Sequence, residues 1–479
     1  MHASSLYGLP KVGTERDYEL ITTSVSWSIE SPLISQVEPV VDWWKQFGDP
    51  QLVKYIEESI QFNYDLQIAI ARIKEAKALR GGAAANLYPK IDAYSRFTNT
   101  RFSDNGANPI GQIAEKNKTL PPNQRLFNIG NPTNVWDLGF DAAWEVDFFG
   151  RDRWNIERAN EAIEETKEYR NAVVISLIAE VARNYIELRG TQNQLVNLLE
   201  IIETQEQTIK LLSDSYEIGI GTELDIITAR AKLESLQANI PELEASIKSS
   251  AYRIAVLTGR HPDALLEDLL PLKPVPLPPA ILGTGVPAEL VTRRPDIRKI
   301  YRNLNAKTAE IGSARAELYP RIGIRGGFGF ESLKIENIFK ISSRKWNVNP
   351  YINWRVFERK SIKAQILAAK ARQYAVSAEL NQAVLNALQE VETSIDRVAA
   401  AKNKKTALER ALQSTHKTYT MTTTSFDIGL NTYLDVLKTK EEYISQRSDL
   451  IKTETQTALE TISLYKALGG GWQPFQIGQ

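Results

Sequence analysis

The chain repeats itself, and that most narrows what it can fold into. SYEIGIGTELDII (215–227) returns as SFDIGLNTYLDVL (425–437), 210 residues later. Trp136 and Trp144 return as Trp346 and Trp354 at the same interval, and AAANLYPKI (83–91) returns as ARAELYPRI (314–322) after 231 residues. One fold unit used twice, with a longer loop in the first copy, reproduces these spacings. That loop, roughly 101–133, is rich in Asn, Gly and Pro, as an exposed connection should be. Between the copies, PLKPVPLPPAILGTGVP (271–287) holds six prolines and reads as an extended linker. The expected organisation is an N-terminal extended segment 1–49, a first repeat 50–270, the linker 271–287, a second repeat 288–470 and a tail 471–479.

Each copy holds one very long helix. From Gly150 to Gly219 there is no Pro and only one internal Gly, Gly190; from Pro350 to Gly429 there is neither. The expected helices, 151–218 and 358–428, would reach ~100 Å at about 1.5 Å per residue. Positions 174, 181, 188, 195, 202, 209 and 216 are Val, Val, Leu, Leu, Ile, Ile and Tyr. A strict seven-residue apolar repeat supercoils helices left-handedly. In the second copy the register 384, 391, 398, 405, 412, 419, 426 is broken only by Lys405. Because 192, 206 and 213 are polar, the seam should narrow toward one end, as in a wall one helix thick with water on both sides. Shorter helices are expected at 50–86, 222–258, 288–316 and 432–468, so each copy can form antiparallel hairpins.

Each copy also holds two strands, expected at 87–102 and 134–149, then 318–331 and 346–357. Every even position from Trp136 to Phe148 is apolar, Phe140 and Trp144 included, while Asp137, Asp141 and Glu145 occupy the other face. Period-two alternation marks a strand with one wet and one apolar face. Trp346, Val348, Ile352 and Trp354 against Lys345, Asn347 and Asn353 repeat the pattern. A soluble sheet packed on helices satisfies this alternation. So does a membrane barrel with an apolar face to lipid and Trp girdles at its rims. Four strands do not close around a lumen, so a barrel needs several chains.

The turns joining long and short helices carry their own signal. G-T-E-L-D (221–225) and N-T-Y-L-D (431–435) place Thr222 and Thr432 three residues before Asp225 and Asp435, a capping-box spacing. Gly219 and Gly429 supply the helix stops. Local capping accounts for these Thr and Gly residues.

Charge balance, 58 basic against 58 acidic residues, argues against a nucleic-acid partner. With no Cys there is no disulfide, thiol nucleophile or thiolate metal site, and the three His are far apart. GIG and GTG stretches lack a strand–loop–helix phosphate context, so no enzyme, cofactor or metal is expected. No apolar run reaches the ~20 residues of a spanning helix.

DWWKQFGDPQL (42–52), ANLYPKID (85–92), WEVDFFGR (144–151), GIGTELDIITAR (219–230), NIPELEASI (239–247), LTGRHP (257–262), RRPDIR (293–298), AELYPRI (316–322) and GLNTYLDVL (429–437) follow in order. Together they resemble the TolC-like outer-membrane factors, in particular the lipoprotein branch paired with resistance–nodulation–division pumps. The resemblance spans about 42–471. It implies a mainly α chain with a transmembrane β-barrel: a homotrimer whose four strands per chain make a 12-stranded barrel in the outer membrane of a Gram-negative bacterium. An α-helical barrel would continue across the periplasm, with an equatorial belt built from the linker and chain ends. The implied function is a passive exit duct for small molecules, opened by a periplasmic adaptor and energised by an inner-membrane pump. A protein-secretion duct is the alternative on the same fold, and a soluble coiled-coil scaffold the alternative from another class.

The resemblance further implies an acylated N-terminal Cys, a palmitate-bearing lipid anchor. This chain has no Cys, and Met1 is expected to stand in for it or for a removed leader. It implies a periplasmic gate at Phe426, Leu434, Asp435 and Lys438, with Lys438 standing where another acid is common. It places adaptor docking at the helix turns, with Gly219, Thr222, Leu224, Asp225, Gly429 and Thr432. Trp136, Phe140, Trp144, Trp346 and Trp354 are expected to face lipid.

Overall fold

A computed structural model of the chain describes residues 13, 27, 34–35, 37, 40–124 and 132–475. The expected acylation site at the chain start and part of the long loop (125–131) lie outside the described residues. In chain order the elements are β1 (Ile34–Ser35), α1 (Pro50–Phe62), α2 (Tyr64–Ala85), β2 (Lys90–Thr100), α3 (Pro109–Thr119), β3 (Thr133–Val146), α4 (Arg151–Glu217), α5 (Glu223–Gln237), α6 (Ile240–Leu257), α7 (Leu266–Leu269), β4 (Leu282–Gly283), α8 (Leu290–Arg293), α9 (Pro295–Ala316), β5 (Arg321–Ser332), β6 (Arg344–Asn353), α10 (Arg359–Asp427) and α11 (Tyr433–Ala467).

Three expected helices are subdivided. The helix at 50–86 breaks at Asn63, whose extended backbone (ψ 131°) lets its side chain cap the Leu66 N–H and donate to the Leu257 carbonyl. The helix at 222–258 breaks at 238–239, just before Pro241, which lacks the N–H that an unbroken helix would use. The segment at 288–316 breaks at Arg294, because the residue before Pro295 is pushed out of the helical region. The long loop is not featureless either. It carries α3, capped by Asn108 with Pro109 at its first position.

A first compact unit contains Ala76–Ala162 and Leu304–Ala375. Its core is the antiparallel sheet β2-β3-β5-β6, with β3 and β5 joined in register from Trp136↔Ser332 to Val146↔Ile322. The two copies therefore meet strand to strand in the middle. The edges are β2 and β6, of 11 and 10 residues. Trp144 donates to the Leu87 carbonyl at 2.9 Å, and Trp354 donates to the Leu318 carbonyl at 3.1 Å, so each Trp ties its strand to its own Tyr-Pro motif.

A second compact unit contains Tyr18–Glu75, Ile163–Asn303 and Val376–Gln479. Its core gathers Val174, Ile178, Val181, Tyr185 and Leu188 of α4 with Val391, Val398, Ile462 and Tyr465 of α10 and α11, all nearly inaccessible to water. Trp43 stacks on Tyr465 at 5.2 Å and Trp44 on Phe475 at 5.8 Å, so the DWWKQF motif pins the chain end to the core. Beyond Leu188 the α4 seam turns polar. Gln192, Asn197, Thr204 and Gln205 are buried, and Asn197 and Gln205 donate to the carbonyls of Ile444 at 3.0 Å and Ala229 at 2.9 Å. Ile202 stays buried on the heptad and Glu206 is exposed as expected, but position 192 is buried through hydrogen bonds to the Leu269 and Leu270 carbonyls.

Candidate functional site

The sheet separates its residues as the alternation requires. Phe140, Phe328, Trp346, Val348, Ile352 and Trp354 are exposed on one face, and Phe97 packs on Trp136 at 4.4 Å. A free chain would not leave so much apolar surface in water. On the other face Lys345 bridges Asp137 (2.7 Å) and Glu331 (3.0 Å), and Tyr94 donates to Asp137 at 3.3 Å. The Arg325 guanidinium lies over the Tyr351 ring at 4.8 Å, and that ring covers Gly323. Where the strands meet the helices, Glu317 is held by Arg321, Arg355 and Arg151. Burial alone would raise the Glu317 pKa, but the Arg321 hydrogen bond and the surrounding guanidinium charges keep it below the ordinary carboxylate range.

Both helix turns are built alike. Gly219 (φ 80°) and Gly429 (φ 78°) take the left-handed conformation that L side chains disfavour. The N–H groups of Ile220 and Leu430 reach back five residues to the carbonyls of Ser215 and Ser425, and those of Gly219 and Gly429 bond Tyr216 and Phe426. These are Schellman stops. The Thr222 hydroxyl accepts from the Asp225 N–H at 3.2 Å, and Thr432 from the Asp435 N–H at 3.3 Å. Only the second turn completes the capping box, because the Asp435 carboxylate alone accepts from its cap N–H, at 3.0 Å.

Around these turns the surface is apolar. Ile218, Ile220, Leu224 and Ile227 of the first turn and Ile428 and Leu430 of the second are exposed. Phe426 packs on Tyr433 at 5.5 Å, and Leu434 is half-buried. The Thr432 hydroxyl and N–H hold the Asp435 carboxyl below the usual carboxylate range. Lys438 adds only a smaller through-space lowering. The expected site residues therefore split: Gly219, Thr222, Asp225, Gly429, Thr432 and Asp435 shape the turns, while Leu224 and Phe426 present apolar surface.

Sequence reasoning quoted RRPDIR without a role for its side chains. Arg294 ties Asp296 (2.7 Å), Glu390 (2.8 Å) and the Ala467 carbonyl (2.8 Å), Arg293 pairs with Glu289, and Arg298 pairs with Glu168 and lies over Trp472. It missed Arg189 altogether. This fully buried guanidinium donates to Gln51, Gln192 and the carbonyls of Leu269 and Pro271, locking the start of the linker onto α4. An Arg on the apolar stretch of a long helix was the available signal. Lys405, which breaks the second heptad, lies 3.2 Å from Glu454. Among the described residues no cluster of His, Asp and Glu could hold a metal ion, and no helix is long and apolar enough to cross a membrane.

Comparison with known proteins places this geometry. The sequence profile of a family described as "Outer membrane efflux protein" matches residues 55–260 and 286–470. Nodulation protein T of Rhizobium leguminosarum bv. trifolii is 26% identical over 437 residues, 91% of this chain and 89% of the relative. Solvent efflux pump outer membrane protein SrpC of Pseudomonas putida is 29% identical over 437 residues, 90% of this chain and 87% of the relative. Among solved structures, the outer-membrane channel OprN superposes with a TM-score of 0.82 at 30% identity, covering 96% of this chain and 99% of that one.

Proposed function

We propose how this chain works from the premise that it belongs to the outer membrane efflux protein family and forms the outer-membrane exit duct of an efflux system, reaching into the periplasm. The observation that carries the reading is the β2-β3-β5-β6 sheet, whose one face is apolar and exposed and whose two edges differ in length by a single residue, 11 against 10. In lipid every backbone N–H and C=O must find a partner, so an open edge is untenable. Strand order makes β2 and β6 run in opposite directions. The β6 of one copy therefore pairs antiparallel with the β2 of the next, and three copies close a 12-stranded barrel. Tyr94, Asp137, Arg325 and Lys345 then line a water-filled lumen, while Phe140 and the Trp residues meet lipid.

The helices continue the duct, and the turns after α4 and α10 form its periplasmic end. Phe426 and Leu434 from three chains close it by apolar contact. Three Asp435 carboxylates repel one another there, and Lys438, one turn along α11, relieves that repulsion. An adaptor docks on the apolar turn surface of Ile218, Ile220 and Leu224, and an inner-membrane pump supplies the energy. The polar seam below Leu188 suits such a gate. Its hydrogen bonds can be exchanged for water, so helices can part there without uncovering a large apolar core. The test is the mass of the purified protein in detergent: three chains per particle are expected, and a monodisperse monomer with native helicity overturns the barrel reading.

A further inference from the structure

The β5–β6 hairpin ends in a loop, 333–343, that is shaped rather than slack. Two single 3-10 turns fold it, Ser332 Oγ donates to the Lys334 carbonyl at 2.8 Å, Ser343 Oγ donates to the Asn337 carbonyl at 2.8 Å, and Ile338 is buried as its plug. Yet Leu333, Ile335, Phe339 and Ile341 are exposed, the last two at 74%. Four large apolar side chains on so short a connection are not what a loop bathed in water carries.

Their direction is fixed by the sheet. Phe328 touches Phe330 at 5.9 Å, and Phe330 touches Phe339 at 6.0 Å. Phe328 and Phe330 belong to the apolar face, so the loop folds outward and extends that face past the strand ends. Three cations accompany it. Arg344 is the register partner of Phe330 and shares its face, and Lys334 and Lys340 are exposed within the loop. Among the described residues none of these three makes an ion pair, whereas Lys345, on the opposite face, is held by Asp137 and Glu331. Glu336 is the one acid in the loop.

We propose that this loop is a docking site for a phosphorylated, acylated lipid of the outer leaflet, whose acyl chains lie on Phe339, Ile341 and Ile335 and whose phosphates meet Arg344, Lys340 and Lys334. The proposal rests on the reading of the Phe140 face as lipid-facing. Continuity with that face selects a lipid over a protein partner. Unpaired cations at its rim select an anionic headgroup over a zwitterionic one. The loop lies at the strand ends opposite those that lead into α4 and α10, which in a periplasm-reaching duct is the outer leaflet.

The experiment is native mass spectrometry of the full-length protein in detergent, titrated with bisphosphorylated lipid A, with phosphatidylethanolamine and with inorganic phosphate. Lipid A is expected to stay bound at up to three molecules per trimer. The Lys334→Gln, Lys340→Gln, Arg344→Gln variant should weaken it at least about tenfold. Phe339→Ser with Ile341→Ser should weaken both lipids alike. Unchanged lipid A retention in the triple variant overturns the site, and so does displacement of the lipid by inorganic phosphate, which would mark a simple anion site. If Phe140→Arg also leaves assembly in lipid untouched, it is the face assignment that has failed.

Discussion

The Asp435 carboxylate accepts the backbone N–H of Thr432 at 3.0 Å, closing a reciprocal cap that the first turn lacks. The two turns of one duplicated unit thus carry the same Asp at this position and bond it differently. The depressed pKa of Asp435 gives the cap a pH signature. The stabilisation is complete above the ordinary carboxylate pKa and is lost as pH falls through the lowered value. Closed-state conductance in planar bilayers should stay flat from neutral pH down to about pH 5 and rise only below about pH 4. Lys438→Asp should raise it at neutral pH, and Asp435→Asn should lower or shift the acid response. If both variants leave closed-state conductance unchanged, the charge ring plays no part and only apolar closure by Phe426 and Leu434 remains.

Phe140 and Asp141 are neighbours on opposite faces of β3, and both are exposed in the single chain. In a barrel they meet different solvents. Phe140→Arg should cost about 2–4 kcal/mol near the bilayer midplane, and Asp141→Arg little. Unfolding of the reconstituted protein in urea reads the difference, and equal costs would contradict the assigned faces.

Arg189 is the stability centre of the second unit. Removing its side chain strips the donor from Gln192 Oε1 and from the Pro271 carbonyl, each costing about 1–3 kcal/mol if left unpaired, while Leu269 keeps Gln192 and Gln51 keeps Tyr185 and Lys273. Arg189→Met should therefore lower the melting temperature and the yield of assembled protein. Arg189→Lys should rescue little, because an ammonium cannot span partners that a planar fork reaches. Assembly of Arg189→Met at wild-type yield and melting temperature would show that water replaces the guanidinium.

Gly190 lies where α4 meets α11: a Cβ there would stand 2.4 Å from the Thr455 hydroxyl oxygen. Helix propensity favours Ala over Gly by about 1 kcal/mol, while overpacking costs about 1–3 kcal/mol against a stiff β-branched neighbour. Gly190→Ala should thus lower the melting temperature of the wild type and raise it in a Thr455→Ala background. The same sign in both backgrounds would exclude close approach as the reason for this glycine.

Periodicity made the elements of the fold legible. Strict alternation around Trp144 and Trp354 located β3 and β6, and the Gly- and Pro-free stretches located α4 and α10 to within a residue or two. What stayed hidden needed partners distant in sequence. Gln192 read as solvent-facing because its burial depends on carbonyls near 270. RRPDIR read as a motif because Glu390 and the Ala467 carbonyl, which give Arg294 its role, lie far down the chain. The breaks at Asn63 and Arg294 are local chemistry that the sequence displays, an Asn cap and a pre-proline residue inside the expected helices 50–86 and 288–316. Asp435 read as a capping residue and as a gate charge. The structure shows the first role.

The strand order has a consequence for how the chain comes into being. The α4–α5 and α10–α11 hairpins close over short turns and can form within one molecule in microseconds to milliseconds. The β3–β5 pair must wait until residues near 146 and 322 find each other across the whole first helical hairpin and the proline linker. Even then the outer edges of β2 and β6 have no partner until other copies arrive. Folding should therefore divide into a rapid, unimolecular helical stage and a slow stage whose rate depends on concentration, with membrane insertion belonging to the second.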